Sequence, residues 1–250
     1  MMKRFLLIWA FVMTAIAATA QEQDYMYPSV WSDNWYVGVH GGINSKVTNN
    51  DFLTNLNSHA ALRIGRDFNP YFGIMVEGML FFSDNKFGYS EQIVKAFNID
   101  LLGSVSLLNI LGGFNGKQRL FDTKFIFGPG VNHIVGLETD NNNDLIAKLG
   151  LEFVFHFDKI PAFEFYLQPA INFNLDHYSS RTQFNVNYSA WQLALGINYR
   201  FKNDNGTHYF ARKDPEIYII ELNDRINTLR EQVEEQKKEQ SDDVTGEEGN

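Results

Sequence analysis

Apolar and polar side chains alternate along eight segments of the chain, and one of them shows the pattern most clearly. In YFGIMVEGMLFF, Phe, Ile, Val and Leu side chains occupy alternate positions from Phe72 to Phe82, interrupted only by Gly78, while Glu77 lies in the opposite set. Successive side chains of a β-strand point to opposite faces, so this segment is predicted to form a strand with one apolar face. Glu77 is therefore expected to point away from that face.

Seven further segments carry the same alternation. Most of the eight are about ten residues long, which is the length a tilted strand needs to cross a bilayer, and bacterial outer-membrane barrels have an even number of strands. The pattern predicts an all-β fold, an eight-stranded antiparallel transmembrane β-barrel within residues 33–201. The further segments are NWYVGVHGGI, HAALRIGRDF, FNIDLLGSVSLL, TKFIFGPGVN, IAKLGLEFVFHF, AFEFYLQPAINFNLD and AWQLALGINYRF.

Alternation alone does not show which face lies inside, because soluble lipocalin-like barrels also alternate, with their apolar side chains inward. The interior of an eight-stranded barrel holds only its own side chains or one small ligand. The apolar rows of this chain, which has 22 Phe, would overfill that space. The opposite rows contain Gly, Ala, Ser, Asn and charges of both signs, which fit a narrow lumen. The apolar rows are therefore predicted to face lipid.

Charged residues recur in the polar rows, and they are predicted to form a salt-bridged network in the lumen. A buried charge is costly unless an opposite charge and hydrogen bonds compensate it. Because eight-stranded barrels rarely leave an open channel, a structural role is preferred to the alternative, an ion path through the barrel. The predicted network comprises Arg63, Glu77, Asp100, Lys124, Lys148, Glu152 and Glu164.

The first 20 residues have the features of a secretory signal peptide. Lys3 and Arg4 precede an apolar run that ends in the small residues 18–20. Residues 21–32 are assigned to an N-terminal extension. The chain has no cysteine, which excludes disulfides, thiolate metal sites and a lipoprotein anchor. No later segment is long and apolar enough for a membrane-spanning helix, so membrane insertion would require a closed barrel.

After the barrel, the sequence predicts a linker (202–214), a helix (215–240) and a disordered acidic tail (241–250). Apolar residues of the helix are spaced alternately three and four positions apart, with Ile or Val at heptad position a and Leu at d, which favours a parallel two-stranded coiled coil. Self-association or pairing with a homologue is preferred to docking on another protein or under the barrel. The seam comprises Ile219, Leu222, Ile226, Leu229 and Val233.

The formal net charge of −9 is concentrated from Asp214 onward, where twelve acidic and four basic residues occur. No basic patch indicates nucleic-acid binding. No metal-binding histidine spacing, phosphate loop or nucleotide motif occurs, so no metal or cofactor is expected. Asp176, His177 and Ser179 suggest a lipid hydrolase at the outer rim. Ser and His are ordinary in such loops, however, so no catalytic residue is assigned and the chain is predicted not to be an enzyme.

Three stretches resemble the OmpA-type outer-membrane proteins of Bacteroides and Porphyromonas relatives: DNWYVGVHGGINS at the first strand, GINYRF at the last, and LNDRINTLREQVEE in the helix. The helix motif is the most specific of the three, and the resemblance covers nearly all of the chain after the signal peptide. It implies envelope structure, oligomerisation with OmpA-type homologues and surface adhesion. Members of the family continue into a peptidoglycan-binding domain that the chain is expected to lack, so tethering to the cell wall is not carried over.

GINYRF also resembles the terminal-strand signal that the barrel-assembly machinery reads during insertion. Gly196, Tyr199 and Phe201 fit that signal, whereas Ala194 replaces the usual polar residue. The sequence thus predicts a non-enzymatic protein of the bacterial outer membrane, in contact with its lipid. Its role is expected to lie in envelope structure or assembly, with the periplasmic helix mediating oligomerisation or partner binding. A small-solute pore and a surface adhesin are the alternatives, and a lipid hydrolase is less favoured. With the N-terminus in the periplasm, the loops after the first, third, fifth and seventh strands face outward.

Overall fold

The structure, a computed structural model, describes residues 26–27, 29–48, 56–82, 93–135, 143–175, 184 and 186–247. The predicted signal peptide (1–20) lies outside these residues. The segment that suggested a hydrolase (176–179) also lies outside them, as do large parts of the four predicted outward loops.

Eight antiparallel strands form a closed barrel in which each strand pairs with the next along the chain, and β8 pairs with β1. The closing pair runs from Tyr36↔Arg200 to Lys46↔Ala190, so both edges of every strand are hydrogen-bonded. The prediction of an all-β, eight-stranded antiparallel barrel followed by a helix is confirmed. The strands are β1 (Trp35–Lys46), β2 (Asn57–Asp67), β3 (Phe72–Phe82), β4 (Val94–Ser106), β5 (Phe121–Ile134), β6 (Asn143–His156), β7 (Phe163–Asn174) and β8 (Ser189–Arg200).

Two α-helices within the described residues lie outside the barrel wall. Helix α1 (Leu107–Gly112) follows β4 directly, because the Ser106 side chain caps it by accepting a hydrogen bond from the Asn109 amide at 3.2 Å. The strand therefore ends before the last two leucines of the fourth predicted segment, Leu107 and Leu108, which belong to α1. Helix α2 (Pro215–Glu247) extends beyond the predicted end at residue 240. Neither of these described helices combines the length and apolarity needed to cross a membrane.

The two faces of the barrel wall differ sharply in polarity. Outward side chains are mostly large and apolar, and two near the middle of their strands, Leu62 at 68% and Leu195 at 67%, are among the most exposed. Inward side chains are buried, and most are polar or charged, although an apolar cluster of Tyr36, Met75, Leu102 and Ile126 lies among them. This arrangement is the reverse of a soluble barrel, in which the apolar side chains fill the interior. We call the outward apolar surface of β1–β8 the apolar belt.

The two ends of the barrel are distinguished by the elements that they carry. The proximal end holds the segment before β1, the segment after β8, helix α1 and the connections 68–71 and 157–162. The distal end holds the last residues of β1, β3, β5 and β7 and the first residues of β2, β4, β6 and β8.

Candidate functional site

The centre of the lumen contains an ion pair between Glu77 of β3 and Lys148 of β6. Lys148 Nζ donates to Glu77 Oε1 at 2.5 Å, and neither side chain is exposed to solvent. The other carboxylate oxygen of Glu77 lies 3.7 Å from Nδ1 of His40. Glu77 thus points into the lumen, opposite the apolar residues on either side of it, and a lysine compensates its charge there.

Arg63 lies directly beside Glu77 in the β2–β3 register, yet its guanidinium group binds a different carboxylate. Its Nη1 and Nη2 contact the two oxygens of Glu152 at 2.5 and 3.2 Å, which is the bidentate geometry that suits arginine. Its Nε donates to Asn198 at 2.8 Å, and the guanidinium carbon lies 3.7 Å from the centroid of the Tyr166 ring. These groups orient Arg63 toward Glu152, and the ion pair of Glu77 is therefore formed with Lys148.

A second charged cluster fills the proximal half of the lumen around Glu164 of β7. Glu164 accepts hydrogen bonds from Arg200 Nε and from His156 Nε2, the latter at 2.9 Å. Arg200 also pairs with Asp67 at 2.5 Å, and Lys124 lies 3.7 Å from the same carboxylate. Arg200 and Glu164 have no solvent exposure. The cluster therefore joins β2, β5, β6, β7 and β8 across the interior.

Six of the seven residues predicted for the lumen network lie in these two clusters, and Asp100 does not form an ion pair with any described residue. One oxygen of Asp100 accepts from Asn98 Nδ2 at 3.2 Å, and the other has no hydrogen-bond partner in the described structure. The sequence reasoning omitted four members: Asp67, Arg200, His40 and His156. All four lie at inward positions, so counting every second residue to the ends of the strands would have found them.

The proximal end of the barrel is closed by five buried apolar side chains that come from distant parts of the chain. The backbones of Met26 and Arg212 form an isolated antiparallel β-bridge. The Nη2 atom of Arg212 donates a hydrogen bond to the Phe114 carbonyl at 2.5 Å. These contacts fix the segment after β8 beneath the lumen instead of letting it extend away. We call this cluster the proximal plug, and it comprises Met26, Tyr71, Phe114, Tyr209 and Phe210.

Two asparagines attach the plug to the barrel wall. The backbone N–H of Asn34 donates to Asn203 Oδ1 at 2.8 Å, and the side-chain Nδ2 of Asn203 donates to Asn34 Oδ1 at 3.0 Å. The Tyr209 ring lies beneath Arg200, with its centroid 4.8 Å from the guanidinium carbon. Burial, followed by the charge of Asp67, raises the pKa of the Tyr209 phenol, so the ring stays uncharged. The charged clusters in the lumen and the proximal plug are thus packed directly against each other.

The predicted insertion signal lies on the last strand and just beyond it. Tyr199 and Phe201 are partly exposed, and their rings meet edge to face at 5.5 Å. Gly196 faces the lumen, where a Cβ atom would overlap the ring of Tyr166. A glycine is therefore required at this position by packing, which is a structural reason for its presence independent of any signal.

The predicted seam residues occupy one side of helix α2 and are exposed to between 39% and 56%. From Glu216 to Lys237 every side chain of the helix is exposed except the half-buried Tyr218. Most of the stability of a helix in a folded protein comes from packing of its apolar face. The described helix has no such packing, so its apolar face is available to another molecule.

The described part of the chain contains no group of three His, Cys, Asp or Glu side chains that could bind a metal ion. The residues that suggested a hydrolase, Asp176, His177 and Ser179, lie outside that part.

No protein-family model matches the chain, and no curated protein sequence matches it. Similar solved structures include the N-terminal β-barrel domain of Pseudomonas aeruginosa OprF (TM-score 0.40, 10% identity) and Neisserial surface protein A (TM-score 0.44, 12% identity), each over 67% of this chain and 97% of the other. Another is Ail, the attachment invasion locus protein of Yersinia pestis (TM-score 0.33, 14% identity), over 67% of this chain and 96% of the other. The fold assignment rests on the closed strand order and not on these likenesses.

Proposed function

We propose that the chain is a non-catalytic barrel of the bacterial outer membrane, whose helix α2 recruits a second helix in the periplasm. The apolar belt supports the membrane location, because so large an exposed apolar surface is stable in hydrocarbon and prone to aggregation in water. The proximal end carries the short connections 68–71 and 157–162. Short turns face the periplasm in barrels of this kind, so α2 belongs on the periplasmic side.

A solute pore is the function that the lumen disfavours. Glu77, Lys148, Glu164 and Arg200 have no solvent exposure, and their charges are paired across the interior. Conduction would require these pairs to separate and the proximal plug to move. The paired charges are better explained as the polar core that holds the eight strands together.

The exposed seam of α2 is the single observation that carries the proposed recruitment. Five apolar side chains repeat at heptad spacing on a helix whose other described side chains, from Glu216 to Lys237, are almost all exposed. An isolated helix gains little from such a seam, whereas a second helix buries it by knobs-into-holes packing. Pairing of α2 with another helix therefore follows from the same residues that the sequence singled out.

The charges beside the seam favour a partner helix with acidic flanks over a second copy of this chain. With Ile219 at position a, Arg225 occupies position g, while Arg230 and Lys237 occupy position e. In a parallel pair, a g residue faces the e residue of the partner's next heptad. Arg225 of one copy would then face Arg230 of the other, and like charges at these positions act against self-pairing.

We expect a photo-cross-linking residue at position 226 to capture one defined partner in intact cells. The same residue at Asn227, on the solvent side of the helix, serves as the matched control and should give no adduct. Leu229→Asp should abolish the adduct at 226, because a carboxylate in the seam weakens association by about 100-fold, or roughly 2.8 kcal/mol. Equal capture from both positions, or capture that survives Leu229→Asp, would contradict the proposal.

Arg225→Glu is expected to strengthen self-association of the detergent-solubilised protein by about tenfold. The substitution converts two symmetry-related Arg–Arg contacts into Glu–Arg contacts, each worth a fraction of a kcal/mol to about 1 kcal/mol. Sedimentation equilibrium measures the change, and high salt should reduce it because these groups are exposed. A wild-type dimer that is tight and insensitive to salt would refute the preference for an acidic partner while leaving the seam itself untouched.

A further inference from the structure

The distal end of the lumen opens into a cavity of about 410 Å³, which we call the distal vestibule. Its wall is rich in amides, with six asparagines from β1, β2, β4, β5 and β7 and a seventh from the turn before β8. Two lysines, Lys46 and Lys95, two aromatic residues, Phe81 and Tyr188, and smaller residues, several of them apolar, also line it. Small-molecule pockets combine a largely apolar lining with a few placed polar groups, and this wall has both, so it suits a ligand with an apolar face and several polar groups. The asparagines are Asn44, Asn57, Asn98, Asn132, Asn172, Asn174 and Asn187.

Three of these amides present an acceptor without a partner. The Oδ1 atoms of Asn44, Asn98 and Asn172 are buried, and none accepts a hydrogen bond within the described chain. Asn98 is 1% exposed, and its Nδ2 donates to Asp100, which leaves its Oδ1 as the remaining group. The Nδ2 of Asn172 likewise donates to Gln192 at 2.9 Å. Buried acceptors without donors are costly, so a ligand that brings O–H or N–H donors is favoured here.

The charge of the wall restricts the ligand further. Lys95 donates to Asn57 at 3.2 Å, and Lys46 has no carboxylate partner among the described residues. The described lining contains no Asp or Glu, so its formal charge is positive. A cationic ligand such as a polyamine is therefore disfavoured, whereas an anionic group would be attracted to the lysines.

We propose that the distal vestibule binds a small acidic saccharide. Hydroxyl groups of the sugar would donate to the free amide oxygens, its carboxylate would pair with Lys46, and its apolar ring face would lie against Tyr188 or Phe81. The volume is within the range of ligand pockets, about 300–1,000 Å³, and accommodates a disaccharide. The site is at the opposite end of the barrel from α2, so it is independent of the recruitment proposed above.

The test is isothermal titration calorimetry on the full chain in detergent with three probes. These are a glucuronic acid–N-acetylglucosamine disaccharide, its neutral glucose–N-acetylglucosamine counterpart, and sulfate. The acidic disaccharide should bind, the neutral one should bind about tenfold more weakly because it loses one charge-assisted contact, and sulfate should not bind measurably. A fourth titration with purified lipopolysaccharide distinguishes a membrane glycolipid from a free saccharide as the source of the sugar.

Variants assign the binding to the vestibule. Lys46→Gln should weaken the acidic disaccharide about tenfold and leave the neutral one unchanged. Asn98→Leu removes a free acceptor and should abolish both, and Ala190→Phe should do the same by filling the space without altering the polar groups. Lys159→Gln, on an exposed proximal turn, is the matched charge control and should change nothing. The proposal is overturned if neither sugar binds at about 1 mM, if sulfate binds as well as the sugar acid, or if Lys159→Gln weakens binding as much as Lys46→Gln.

Discussion

Replacing Lys148 with methionine is expected to destabilise the barrel by about 3–5 kcal/mol, because it leaves the Glu77 carboxylate buried without its counter-charge. Lys148 Nζ donates to Glu77 Oε1 at 2.5 Å, and both side chains are inaccessible to solvent. The remaining neighbour on the other oxygen, His40 Nδ1, is 3.7 Å away and too distant for a strong hydrogen bond. The measurement is urea titration of the protein refolded into lipid vesicles.

A double variant separates loss of the charge pair from loss of packing. Glu77→Gln combined with Lys148→Met removes both charges, and it should recover most of the stability that Lys148→Met loses, since replacement of a whole buried pair is often close to neutral. Lys159→Met, at an exposed turn, should stay within about 0.5 kcal/mol of the wild type. A double variant that is less stable than Lys148→Met alone would show that the charge pair is not what the lysine supports.

Which residues share a face of each strand could be predicted from the sequence, because that depends only on the two-residue period of a strand. Which face turns inward followed from the volume of the apolar rows, which would overfill the interior. Glu77 alternates with apolar residues along β3, so it had to lie on the opposite, polar face. Lys148 and Glu152 are four positions apart on one strand, so they had to share a face. Burial then followed from the small interior of an eight-stranded barrel. These steps require no knowledge of which strands lie across the lumen from one another.

The partners of the charges could not be predicted in the same way, because they depend on strand tilt and side-chain reach across the interior. Arg63 and Glu77 are neighbours in the β2–β3 register and would be expected to form an ion pair. In the structure, Arg63 forms its ion pair with Glu152 and Glu77 forms its ion pair with Lys148. The proximal plug presents the same difficulty at larger separation, since Met26 and Arg212 meet only after the barrel has closed. Contacts of this kind are properties of the assembled barrel and leave no periodic trace in the sequence.

Leu195→Arg is expected to destabilise the membrane-inserted barrel by about 2–4 kcal/mol, the cost of a cationic side chain facing lipid at the bilayer midplane. Leu195 lies near the middle of β8, is 67% exposed, and is flanked in register by Gly41 and Leu167. If the barrel were soluble, an exposed leucine changed to arginine should shift stability by no more than about 0.5 kcal/mol.

Val37→Arg, near the proximal end of β1, compares the same substitution at a shallower depth than Leu195→Arg. Its cost should be only about 0–1 kcal/mol, because it lies close to the membrane–water boundary. Leu195→Phe keeps the position apolar and should preserve stability. The three variants are compared by urea titration in lipid vesicles of the same composition. Equal costs for Leu195→Arg and Val37→Arg, or no cost for either, would show that the apolar belt does not contact hydrocarbon, and the location of the barrel in a membrane would then have to be abandoned.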